Sequence, residues 1–160
     1  MNEILIYNDL PSTNEFAINS QNLKHGDGIL AYKQTKGRGQ NGRAWQSNLG
    51  GLYLSIILKD IELNNITLKI GKLVKKYLDE YTNQKFEIKL PNDILYKGEK
   101  ICGVLVESRT CGDSVLAVCG IGLNINNNYN NYNNLSSIMG KEQDILKIAK
   151  KIRECILNEI

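Results

Sequence analysis

The chain has 160 residues, 42% of them hydrophobic, enough for one domain to bury a core without disulfide or metal staples. Its 20 basic and 17 acidic side chains leave a formal +3, dispersed along the chain, which excludes a strongly basic binder of nucleic acid or membrane surfaces. Four cysteines with no C-x-x-C pair and a single histidine, His25, exclude a standard zinc spacing. No apolar run reaches signal or membrane-spanning length, so the reading is of a cytoplasmic protein with reduced thiols.

Apolar alternation predicts a short strand at residues 3–7, after which Pro11 with Ser12 or Thr13 starts a helix running to about residue 23. Gly26-Asp27-Gly28 turns the chain into a strand at 29–35, a polar glycine loop at 36–48, and a strand at 52–58 with Tyr53, Ser55 and Ile57 on one face. Residues 65–81 carry Ile66, Ile70, Leu73, Val74, Tyr77 and Leu78 at helical spacing. A strand at 86–90 is interrupted by Pro91. Residues 96–100 form a tight hairpin in which Gly98 takes positive φ, and 101–107 and 115–123 pair as strands. The asparagine- and tyrosine-rich stretch 124–134 reads as loop composition. A helix from 141 to the end has a stripe of Ile145, Leu146, Ile148, Ala149, Ile152, Ile156 and Leu157. Strands with unevenly inserted helices predict an α+β fold, a mixed, mainly antiparallel sheet with helices on one face, as a single domain over residues 1–160.

Four blocks carry chemistry. Gly37-Arg38-Gly39-Gln40-Asn41-Gly42-Arg43-Ala44-Trp45 combines glycines that let backbone N–H groups approach phosphate, arginines that add charge-assisted contacts, and a flat aromatic. Ser12-Thr13-Asn14 can cap a helix, and the same cluster can bind a polar, uncharged group at a helix start. Lys89-Leu90-Pro91-Asn92-Asp93 places a carboxylate after a turn. Lys100-Ile101-Cys102-Gly103 puts an ammonium at the start of an apolar strand, where it can meet developing negative charge. Each block also has a plain structural reading: solvated arginines, a core tryptophan, a cap, a turn aspartate, a hairpin lysine. Cys102 and Cys119 lie in apolar strands and read as small hydrophobes.

In order and spacing these blocks resemble the catalytic domain of biotin protein ligases, over roughly residues 9–126, a fold related to class II aminoacyl-tRNA synthetases and lipoate ligases. The resemblance implies an enzyme that makes biotinyl-5'-AMP from biotin and ATP with Mg²⁺. It would then transfer biotin to a lysine of a biotin carboxyl carrier protein. It carries biotin contact onto Ser12, Thr13, Asn14, Gln34, Gly37, Arg38, Lys100 and Gly103, and nucleotide contact onto Gly39, Gln40, Arg43, Trp45, Asn92 and Asn124. Lys100, Arg38 and Asp93 become the catalytic groups, with Asp93 also the candidate Mg²⁺ ligand. Gly120 and Gly122 are expected to permit close approach of strands.

Two positions depart from the family pattern. Gln40 stands where many members have a further arginine, and Leu90 stands where tryptophan is usual, keeping an apolar wall with less area. Neither the family's helix-turn-helix module nor its small C-terminal β-domain is expected in this chain. A homodimer stays open, and no nucleic-acid or membrane partner is expected. The alternatives are a lipoate or octanoyl ligase of the same fold, against which the Gly-Arg-Gly-x-x-Gly-Arg loop argues, and a non-catalytic biotin-binding module.

Overall fold

The structure, a computed structural model, describes residues 3–128 and 133–160. In chain order it contains β1 (Ile4–Tyr7), α1 (Thr13–Asn19), β2 (Gly28–Ala31), a 3₁₀ turn at Gln40–Gly42, β3 (Leu52–Lys59) and α2 (Ile66–Thr82). Then follow β4 (Glu87–Lys89), β5 (Asp93–Tyr96), β6 (Glu99–Cys111), β7 (Ser114–Leu123), α3 (Leu135–Met139) and α4 (Ile145–Leu157). The strands form a seven-stranded sheet in the order β1-β2-β3-β7-β6-β5-β4. Only β1 and β2 pair in parallel, so the sheet is mixed and mainly antiparallel as expected.

Strand alternation sends alternate residues of β3 to opposite faces. Leu52, Leu54, Ile56 and Leu58 join the main core beneath α2 and α4, which bury Ile70, Val74 and Leu78 from one helix and Ile148, Ala149, Ile152 and Ile156 from the other. Burying each such aliphatic side chain contributes about 1.5–3 kcal/mol. The two long helices therefore share a face. The short α1 lies on the opposite one, where Ala17 packs with Ile29, Ile57 and Val118.

Several boundaries differ from the sequence reading, each for a local reason. Helix α1 stops at Asn19, where Asn19 Nδ2 donates to the Glu15 carbonyl at 3.0 Å and Ser20 Oγ donates to the Phe16 carbonyl at 2.7 Å; side chains that bond backward compete with helix continuation. Helix α4 begins at Ile145 rather than 141 because Asp144 is its cap, accepting from the Lys147 amide at 2.9 Å. The β5–β6 hairpin turns through Lys97 and Gly98, both at positive φ (49° and 81°), the pairing that tight two-residue hairpins favour.

Part of the asparagine-rich stretch is structural. Asn127 Nδ2 donates to Asn124 Oδ1 at 3.0 Å, and Asn134 caps α3 by accepting from the Ser137 amide at 2.8 Å. Residues 129–132 of that stretch lie outside the described residues. Among the described residues, no helix is long and apolar enough to cross a membrane.

Candidate active site

On the α1 face, β6 and β7 present a floor made of glycine. Gly103 and Gly122 are register partners, and Gly120 is the partner of Leu105. A Cβ at Gly122 would stand 2.5 Å from Trp45 Cε2, and one at Gly103 would stand 3.1 Å from Trp45 Cζ3. A Cβ at Gly120 would collide with the Asn14 carboxamide. These glycines make room for an indole and an amide lying on the sheet. The expectation that they bring strands close is corrected, since strand spacing is already fixed by the ladder.

Over this floor opens a narrow cleft, partly open to solvent. The first turn of α1 forms one wall. Ser12 caps that helix, its Oγ accepting from the Glu15 amide at 3.3 Å. Gln34 Oε1 accepts from both the Thr13 amide (2.8 Å) and Thr13 Oγ1 (3.1 Å), while Gln34 Nε2 donates to Ser47 Oγ at 2.8 Å. Ser55 Oγ, fully buried, lies 2.8 Å from Thr13 Oγ1 and 2.6 Å from Asn14 Oδ1. This end of the cleft is a connected polar network, expensive to bury unless its groups are satisfied.

The glycine loop forms the second wall and is itself a small hairpin. Arg38 and Ala44 form an antiparallel bridge, the Gly39 amide donates to the Arg43 carbonyl at 2.7 Å, and the Trp45 amide donates to the Gly37 carbonyl at 2.9 Å. Gly42 turns at φ 70°. Gly37 is buried behind the cleft, where a Cβ would stand 2.5 Å from the Trp45 carbonyl and 2.9 Å from Gln34 Nε2. It is required for packing the loop against its neighbours. Arg38 pairs with Glu107, Nη2 to Oε2, at 3.2 Å.

The third side is Lys100. Its Nζ lies 2.7 Å from Asp93 Oδ1 and 5.0 Å from the centroid of the Trp45 ring. The Asp93 oxygen is shielded from solvent and makes no directed hydrogen bond, so the pairing is electrostatic rather than directional. Trp45 Nε1 is likewise buried with no hydrogen-bond partner among the described residues. Asn92 lines the cleft while its Nδ2 donates to the Val104 carbonyl at 3.1 Å.

Of the residues singled out in the sequence, Ser12, Thr13, Asn14, Gln34, Arg38, Gly39, Trp45, Asn92, Lys100 and Gly103 meet in this one cleft. Gln40 and Arg43 lie in the turn of the loop and Asn124 is buried with its Oδ1 accepting from Asn127; the three are not among the residues that line the cleft. Leu90 is 70% exposed and forms no wall of the cleft, correcting the role expected of it. Asp93, the candidate Mg²⁺ ligand, is paired with Lys100, and among the described residues no group of three or more His, Cys, Asp or Glu could hold a metal ion by itself. Tyr53 lines the cleft, its hydroxyl donating to the Asn48 carbonyl at 2.6 Å, and it was not singled out from the sequence as a site residue. Its only sequence signal, shared with Ser55, was alternation on β3.

Thiol chemistry does not fit the site. Burial pushes the Cys102 thiol up to about 12, outweighing the pull of Lys100, and burial also raises Cys119 well above the ordinary range.

The biotin protein ligase of Aquifex aeolicus, solved in complex with biotin and ATP, superposes with a TM-score of 0.86 at 32% identity over 99% of this chain and 70% of that one. The fold is thus that of the biotin ligases, of the class II synthetase-like type. The chain belongs to the biotin/lipoate A/B protein ligase family, whose pattern matches residues 6–124. The bifunctional ligase/repressor BirA of Bacillus subtilis is 39% identical over 139 residues, 81% of this chain and 43% of its own length. The biotin–[acetyl-CoA-carboxylase] ligase of Paracoccus denitrificans is 31% identical over 104 residues, 61% of this chain and 43% of its own length. The match spans less than half the length of these two relatives.

Proposed function

We propose that this domain is the catalytic unit of a biotin protein ligase. In the first step a carboxylate oxygen of biotin attacks the α-phosphorus of ATP, forming biotinyl-5'-AMP as pyrophosphate leaves. In the second, the neutral amine of a carrier lysine attacks the acyl carbon of the mixed anhydride, AMP departs, and the amine loses a proton. The observation that carries this reading is the convergence of a polar head-group end, a loop arginine and Lys100 in one cleft.

The ureido ring of biotin has one carbonyl acceptor and two N–H donors, a match for Ser12, Thr13 and Gln34. A lipoyl dithiolane offers these groups neither an N–H nor a carbonyl to bond with, which favours biotin over lipoate. Lys100 stands where negative charge grows between carboxylate and α-phosphate, and Asp93 holds its ammonium there. Arg38 faces the phosphate. Trp45 offers its ring to adenine and its unpartnered Nε1 to a ligand acceptor. Magnesium enters with the triphosphate as part of the substrate, since such ions are held largely by phosphate oxygens with one or two carboxylates. The acceptor is a biotin carboxyl carrier protein, and the four free cysteines suit the reducing cytoplasm.

The test is incubation of the protein with biotin, ATP, magnesium and a purified carrier domain, followed by intact-mass measurement. One biotin added to a single carrier lysine, dependent on ATP, is the expected result. Adenylate formation without any carrier modification would favour a domain limited to the first step, and biotin binding alone would favour a non-catalytic module.

A further inference from the structure

Glu107 lies on β6 opposite Val118, outside the cleft, yet it touches two of the cleft's walls. One carboxylate oxygen, Oε2, accepts from Asn14 Nδ2 at 2.9 Å and from Arg38 Nη2 at 3.2 Å. The first contact fixes the Asn14 amide. Its Nδ2 is directed to Glu107 and, at 3.2 Å, to the Leu105 carbonyl, so Oδ1 faces Ser55 and the polar network of the head-group end. The second contact fixes the loop at Arg38, while the Gln34–Ser47 bond fixes its other end. A single acid thus joins the helix start, the loop and the sheet.

We propose that Glu107 is a positioning residue of the ligation reaction, acting through Arg38. This rests on the functional reading above. A guanidinium has five N–H donors, and Glu107 takes only one group of them. Among the described residues nothing else takes the remaining donors, so the carboxylate aims the arginine without competing with phosphate for it. Charge is needed for this, because the Arg38 side chain is 39% exposed and a neutral acceptor would hold it weakly against water.

The test compares Glu107→Gln, alone and combined with Arg38→Ala, in biotin-dependent ATP–pyrophosphate exchange. Glutamine keeps the length and can still accept from Asn14. Alone it should lower kcat about three- to tenfold, the scale of a partly exposed charged contact, with KM for biotin unchanged. In the Arg38→Ala background it should cause no further loss. An unchanged kcat, or the same loss in both backgrounds, would overturn the proposal. A parent protein with no exchange would instead defeat the functional reading. Tryptic cleavage after Arg38 in the free protein then decides the positioning role: faster cutting in Glu107→Gln supports it, and equal rates reject it.

Discussion

The indole of Trp45 lies against Gly122 so closely that a single methyl group there would stand 2.5 Å from Cε2 and Nε1. This contact sets how deep the cleft is and where the aromatic wall stands. Gly122→Ala should therefore displace Trp45 and destabilise the domain by about 1–3 kcal/mol, the usual cost of overpacking. Because the chain has one tryptophan, its emission reports the displacement directly. A variant with parent emission and parent melting temperature would show that the indole does not rest on Gly122.

Lys100→Ala should reduce adenylate formation by about 10²–10³-fold, since a charge acting mainly on the transition state is lost. Biotin affinity should change little. Asp93→Asn should give a smaller loss, because the ammonium remains but is held less firmly. Single-turnover measurement of biotinyl-adenylate separates these outcomes, and parent-like rates in Lys100→Ala would refute its assignment.

Ser55 lies at the centre of the polar network, 2.6 Å from Asn14 Oδ1 and 2.8 Å from Thr13 Oγ1. Removing its hydroxyl leaves buried polar atoms short of a partner, at a cost of about 1–3 kcal/mol. Ser55→Ala should thus weaken biotin binding while leaving ATP binding near the parent value. Calorimetric titration with each ligand checks the split; equal losses for both would place Ser55 in general stability.

Much of this was legible in the sequence because the informative residues cluster locally. The Ser12 cap, the Gly37–Trp45 loop and the Lys100 strand start each occupy a short window, and their resemblance to biotin ligases brought them together before any contact was known. What escaped depends on long-range register. That Gly122 faces Gly103 under Trp45, or that Glu107 reaches both Asn14 and Arg38, follows from how β6 and β7 align with a helix and a loop some 70 to 90 residues away in the chain. The acidic partner of Arg38 likewise comes from β6, far along the chain. Short elements were also hidden. The four residues of β5 follow directly on Pro91-Asn92, and α3 is embedded in asparagine-rich sequence whose capping role is visible only in three dimensions.

The thiols give a pH-dependent expectation. Cys102 is held protonated to about 12 in the folded state, against 9.0 for the free group. Its contribution to stability is full below pH about 9 and falls as pH rises from there towards 12, because the unfolded chain ionises first. Cys119 acts in the same direction. Alkylation at pH 8 should label exposed Cys111 readily and spare Cys102 and Cys119 until the protein unfolds. Rapid labelling of either buried thiol in the folded protein would contradict this.

The most direct test of the central claim is ATP–pyrophosphate exchange by the purified protein with biotin or lipoate as the only carboxylate. The cleft predicts exchange with biotin that depends on magnesium, and little or none with lipoate. Exchange with lipoate equal to or above that with biotin, or no exchange with biotin at saturating ATP in a folded protein, would contradict the account.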